Sequence, residues 1–163
     1  PQGALFTWTP PQPQPLELTP GTLILDGLQD PGNVGTILRT ADAWDLPVVL
    51  TPGCADAYGP KTVRASMGAV FRTPPQRAAH AAVAEACRTR GIPLVVTALP
   101  DSAVDLCSLE LSKAAVVIGS EGRGVGRFFL EQADQTAIIP MNPRCESLNA
   151  AVAATVVLWQ MRR

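Results

Sequence analysis

Short, nearly unbroken apolar runs separated by polar and turn-forming stretches set the plan of this chain. Residues 22–26 (Thr-Leu-Ile-Leu-Asp), 47–51 (Pro-Val-Val-Leu-Thr), 94–98, 114–119 and 136–139 each read as a strand. Continuous runs of branched apolar residues suit a parallel sheet buried on both faces. Between the runs the period changes to that of a helix. Residues 33–44 place Val34, Ile37, Leu38 and Ala41 on one face, and the alanine-rich 76–90 segment ends on Gly91, which predicts a glycine C-terminal cap. Residues 61–67 and 126–133 allow a short helix each. Over 146–163 a final helix is expected, with Leu148, Ala151, Val152, Thr155, Val156 and Trp159 recurring at helical spacing as its buried face. Strands alternating with helices predict an α/β fold, a mostly parallel sheet flanked by helices on both sides.

Composition narrows the function classes. The 163 residues are the length of one ordinary domain, with 47% apolar and 17% charged content. A net charge of -1 argues against a uniformly basic nucleic-acid binder but leaves room for a local basic patch. Cys54, Cys87, Cys107 and Cys145 are far apart, and His80 is the single histidine, so no zinc spacing is available and no metal is expected. Free thiols point to a reducing, cytoplasmic compartment. The longest apolar run, 148–161, is broken by Asn149, Thr155 and Gln160 and is too short to span a bilayer, so no membrane role is expected. Residues 1–21 hold Pro1, Pro10, Pro11, Pro13, Pro15 and Pro20, the composition of an extended linker, and an N-terminal domain is expected ahead of it. Leu5, Phe6 and Trp8 are too apolar for a free tail and are expected to lie against the main domain, 22–163.

Polar residues concentrate at three places. Asn33-Val-Gly35-Thr-Ile-Leu-Arg39 opens the first helix, and Ile139-Pro-Met141 through Ser147-Leu-Asn149 leads into the last. Helix starts gather unpaired N–H groups and positive dipole, which suits polar or anionic ligands. The same residues serve equally well as plain helix caps, Ser147 among them. The third place is a glycine loop, Ser120-Glu-Gly-Arg-Gly-Val-Gly126. Gly122, Gly124 and Gly126 alternate strictly, which is not the G-x-G-x-x-G of a dinucleotide fold, and no Gly-Lys-Ser/Thr follows. An NAD-dependent oxidoreductase is therefore disfavoured. Glu121 is an odd choice for a simple turn and is a functional candidate.

Taken together, Asn33-x-Gly35-x-x-x-Arg39, Gly119-Ser-Glu121-Gly-x-Gly124 and Ile139-Pro-Met141 through Ser147-Leu-Asn149 resemble the three motifs of the SpoU (TrmH-type) RNA 2'-O-methyltransferases of the SPOUT superfamily. Arg64-Ala-Ser66-Met-Gly68-Ala-Val-Phe71-Arg-Thr-Pro74 resembles a further stretch common in the ribosomal-RNA branch. The resemblance runs in unbroken order from about Leu23 to Arg163. Pro1-Gln-Gly3 resembles the joint at which an N-terminal RNA-binding domain meets the catalytic domain in several members.

The resemblance implies a C-terminal trefoil knot in the α/β fold, a feature that periodicity cannot predict. It implies S-adenosylmethionine bound between Thr97, Ala98, Leu99, Gly119, Ile139, Met141 and Leu148. Arg39 would serve the ribose hydroxyl, with Asn33, Glu121, Ser147 and Asn149 around it and Arg123 and Arg144 on RNA phosphates. A guanidinium resists deprotonation, so a bidentate grip on phosphate and on developing alkoxide charge is the physically sounder role for Arg39. A homodimer is implied, joining the cofactor pocket to the arginine motif across the subunit interface, with RNA as the partner and ribosomal RNA favoured over transfer RNA. A catalytically inactive RNA-binding module would lack Arg39 or Asn33, and both are present.

Overall fold

The computed structural model describes residues 3, 7–12, 14–98, 103–142, 144–145 and 147–163. Seven strands form one sheet: β1 (Leu23–Asp26), β2 (Val48–Leu50), β3 (Gln76–Arg77), β4 (Leu94–Thr97), β5 (Val104–Asp105), β6 (Ala115–Gly119) and β7 (Gln135–Ile138). Their order is β3-β2-β1-β6-β4-β7-β5, and every pairing is parallel. The five strands expected from the apolar runs are all present. β3 and β5 are additions at the two edges. Strands of two residues have no room for a sequence period, so nothing in the pattern announces them.

Among the described residues five α-helices lie between strands, α1 (Pro31–Asp42), α2 (Pro60–Ser66), α3 (Ala69–Arg72), α4 (His80–Arg90) and α5 (Arg127–Gln132), and a sixth, α6 (Ala150–Met161), follows the last strand. α1 starts where Asp30 accepts the Asn33 N–H at 2.7 Å, and Pro31 sits at the first turn, where a missing N–H costs nothing. Its predicted face is the buried one: Val34, Ile37, Leu38 and Ala41 enter the core. α2 stops because Met67 and Gly68 both take positive φ, 50° and 85°. α4 begins at His80 rather than at residue 76, because Gln76 and Arg77 pair with Val49 and Leu50 of β2. Gly91 then ends it in the left-handed region, as predicted.

Two apolar cores lie on the two faces of the sheet. One packs α1 and α6 over Leu23, Leu25, Val116 and Ile118; the other packs α4 and α5 over Ile24, Val49, Val96 and Val117. The expected buried face of α6 needs correction. Ala150, Ala151, Ala154, Val157, Leu158 and Met161 are buried, whereas Val152, Val156 and Trp159 are exposed. The helix is apolar nearly all round, so its spacing could not say which side faces the sheet.

The described part of the proline-rich segment lies against the domain. Leu18 is fully buried, and Glu17 and Gln76 exchange two hydrogen bonds of 2.8 and 2.9 Å. Trp8 packs on Tyr58 and Phe71 at centroid distances of 4.9 Å, as its apolar character predicted. Leu5 and Phe6 lie outside the described residues.

Candidate active site

All strands of a parallel sheet deliver their carboxyl ends to one edge, and there the glycine loop after β6 and the segment after β7 face each other. Between them lies a cleft of about 570 Å³. Thr97 and Ala98 after β4, Gly119 at the end of β6, Ile139 and Met141 after β7, and Leu148 before α6 all line it. Every described residue of the expected cofactor wall therefore borders one cavity; Leu99 lies outside the described residues. Ser147, Glu121 and Arg123 border it too.

Glycines make this wall possible. A Cβ on Gly119 would lie 2.0 Å from the carbonyl carbon of Gly124 and 2.2 Å from the Val125 nitrogen. Ser120 and Gly124 exchange backbone hydrogen bonds of 3.2 and 2.8 Å, folding the loop back on itself. Gly124 holds φ +66°, a conformation that side-chain-bearing residues rarely take. In the first motif Gly35 plays a similar part, since a Cβ there would reach within 2.5 Å of the Thr62 carbonyl oxygen and 2.6 Å of the Ala65 Cβ. That approach seats α1 on α2, whose last turn opens the 64–74 stretch. The α1–α3 contact is tied by Arg72, whose Nε donates to Asp42 at 3.0 Å. The Arg72 guanidinium holds the Asp42 carboxyl below the usual carboxylate range, against an opposing push from burial.

Three sequence-distant motifs meet in one hydrogen-bonded chain. Asn33 Nδ2 donates to Glu121 Oε1. Asn149 Nδ2 donates to Asn33 Oδ1 at 3.1 Å. Asn149 Oδ1 in turn accepts the N–H groups of Ala151 and Val152 at 3.0 and 3.3 Å, making Asn149 the cap of α6. The cap is thus not Ser147, and the helix starts four residues later than expected. Glu121 holds a polar neighbour, Asn33.

Arg39 stands elsewhere. It is exposed on α1, makes no side-chain hydrogen bond or ion pair among the described residues, and does not line the cleft of its own chain. Arg144 is exposed, with its Nε 3.3 Å from Asn142 Oδ1. None of the four cysteines lines the cleft, and burial pushes the Cys87 thiol up to about 11 and the Cys54 thiol upward. Among the described residues no group of three His, Cys, Asp or Glu side chains is placed to hold a metal, and no helix is long and apolar enough to cross a membrane.

Comparison with known proteins agrees with this architecture. Residues 20–159 match the SpoU rRNA Methylase family. The chain is 38% identical over 141 residues to the 23S rRNA (guanosine(2553)-2'-O)-methyltransferase RlmP of Bacillus subtilis, a match covering 86% of this chain and 57% of that enzyme. It superposes on an AdoMet-bound rRNA methyltransferase from Sinorhizobium meliloti with a TM-score of 0.82 at 36% identity, covering 90% of this chain and 57% of that one. A structure describing 2-OH methylation of C/U34 on tRNA aligns with a TM-score of 0.78 at 28% identity, over 87% of this chain and 93% of that one. The chain belongs to the SpoU methylase family. It spans little more than half the length of the curated relative RlmP.

Proposed function

We propose that residues 22–163 form the catalytic domain of an S-adenosylmethionine-dependent methyltransferase acting on a ribose 2'-hydroxyl of ribosomal RNA. The observation that carries this is the convergence of Thr97, Ala98, Gly119, Ile139, Met141 and Leu148 on one cleft beside the Asn33–Glu121–Asn149 chain. The residues fit the cofactor. A cleft of about 570 Å³ is of small-ligand size, its wall is chiefly apolar, and the glycine loop offers backbone groups unobstructed by side chains. When bound there, S-adenosylmethionine supplies an electrophilic methyl group on a sulfonium sulfur.

The protein's part is positioning and electrostatics. Leu148, Ile139 and Met141 offer apolar contact and exclude water from the cleft. The Asn33–Glu121–Asn149 chain fixes the loop against the starts of α1 and α6, so the wall is set before substrate arrives. Arg39, with no partner of its own among the described residues, is free to grip a substrate phosphate bidentately and to stabilise alkoxide charge. Arg123 at the cleft and exposed Arg144 extend the same cationic reach along the RNA backbone. Ribosomal RNA is favoured over transfer RNA by the 64–74 stretch and by the named activity of the Bacillus relative. The proline-rich 1–21 segment is read as a linker to a further RNA-binding domain, and the free thiols as a cytoplasmic setting. The knotted C-terminus implied by the resemblance is part of the same reading.

A homodimer completes the site in this reading. Arg39 stays out of its own cleft, and α6 carries Val152, Val156 and Trp159 as an exposed apolar stripe at i, i+4 and i+7, continued by Trp44, whose ring centroid lies 5.7 Å from that of Trp159. Light scattering should give twice the 17.2 kDa chain mass. Val156→Asp should give the single mass with an unchanged circular dichroism spectrum; a dimer in that variant, or a monomeric wild type, would rule the stripe out as the interface.

Calorimetric titration with S-adenosylmethionine, with NAD as control, tests the cofactor assignment. Saturable binding of the first alone is expected, followed by transfer of labelled methyl to ribosomal RNA. A folded protein that binds neither would return the chain to an inactive RNA-binding module; transfer to transfer RNA alone would replace the substrate.

A further inference from the structure

We propose that His80, remote in sequence from all three motifs, is a positioning residue for the cofactor cleft, acting through the buried carboxylate of Asp26. The inference rests on the cofactor assignment above for its functional consequence, but its structural core stands apart from it.

Asp26 ends β1 and is 7% exposed. Burying a carboxylate is costly unless its oxygens are satisfied, and here both are. Oδ1 accepts from Thr51 Oγ1 at 3.0 Å and from His80 Nε2 at 2.9 Å, and Oδ2 accepts the Gly126 N–H at 2.7 Å. The last bond matters most. Asp26 already faces Gly119 in the β1–β6 register, so one residue governs both ends of the 119–126 loop: its backbone at the start, its carboxylate at the finish. That loop forms one side of the cleft and carries Glu121, which holds Asn33.

His80 decides how firmly the carboxylate is aimed. It opens α4, its ring packs beside Phe128 and Phe129 at centroid distances of 5.9 and 5.2 Å, and its side chain is 35% exposed. The two phenylalanines lie in α5, the helix that Gly126 caps. The imidazole therefore touches the loop's exit twice, through Asp26 by hydrogen bonding and through α5 by packing. Losing it leaves one buried oxygen served by Thr51 alone and removes an aromatic contact on the helix that follows the loop. None of this was legible in the sequence, where a lone histidine at the head of an alanine-rich helix carries no signal.

His80→Leu keeps the bulk and removes the donor; His80→Gln restores an N–H donor. Gly126→Ala loads the same contact from the other side, because its Cβ would sit 3.0 Å from Asp26 Oδ2. Amide exchange without cofactor and S-adenosylmethionine affinity are read on each folded variant. Loss of one hydrogen bond to a carboxylate predicts about tenfold faster exchange at Gly124 and Gly126 and about tenfold weaker binding in His80→Leu. Gly126→Ala should follow it, and His80→Gln should recover most of both. A lowered melting temperature with wild-type exchange and affinity would overturn the proposal, leaving His80 as packing alone. Faster loop exchange in variants of a protein whose wild type takes up no S-adenosylmethionine would confirm the hold on the loop and overturn the cofactor assignment.

Discussion

Gly119→Ala is expected to remove cofactor binding and to destabilise the domain by about 3 kcal/mol or more. The added methyl would lie 2.0, 2.1 and 2.2 Å from Gly124 C, Gly124 O and Val125 N, all backbone atoms that cannot turn aside. Relief requires pulling the 120–124 turn away from β6, which breaks the Ser120–Gly124 pairing and opens one side of the cleft. Val125 and Phe129, buried in the second core just beyond, resist that movement. Urea unfolding and cofactor titration read the two effects. Gly122→Ala is the control for the unfolding measurement, since a Cβ there meets nothing within 4 Å. A Gly119→Ala protein with the wild-type unfolding midpoint and affinity would show that the loop does not need its close approach.

Arg39→Ala should lower methyl transfer by about 10²- to 10³-fold while leaving S-adenosylmethionine affinity unchanged. The asymmetry follows from position. Arg39 does not line the cleft of its own chain, so it contributes nothing there to the cofactor's walls, yet it has no structural partner among the described residues whose loss would spread. Arg39→Lys keeps the charge but loses the planar fork and should recover only part of the rate. Single-turnover transfer to ribosomal RNA, measured beside calorimetry, separates the two quantities. Wild-type turnover in Arg39→Ala would remove it from the reaction; weakened cofactor binding would instead place it at the pocket.

Sequence carried most of the sheet and the cleft, for a physical reason that also marks its limits. Buried parallel strands such as 114–119 are written as continuous apolar runs, and α1 as a clean one-sided pattern, so both could be read directly. α6 is apolar on every side, and the pattern named Val152, Val156 and Trp159 as core when they are exposed. The edge strands Gln76–Arg77 and Val104–Asp105 are set by tertiary pairing alone. At the site, the residues picked out by resemblance line one cleft because they follow strand ends in order. Resemblance could not supply the pairing of Asn33 with Glu121 and Asn149, which spans 88 and 116 residues of chain. Local spacing offered Ser147 as one candidate cap for α6, whereas the reach of Asn149 back to Asn33 accompanies a cap at Asn149 itself.

The Asn33–Glu121–Asn149 chain also sets a clock. Domains made on the ribosome begin to fold from the N-terminus as residues emerge. Here the first motif leaves early, with Asn33, but its second partner is residue 149, and the helix that Asn149 caps runs to Met161. A nascent chain holding β1 through β7 has the sheet's strands and the glycine loop yet lacks the last hydrogen bond and the helix that backs it. The site can therefore close only once Asn149 and the helix it caps have emerged, however early the strands before them fold.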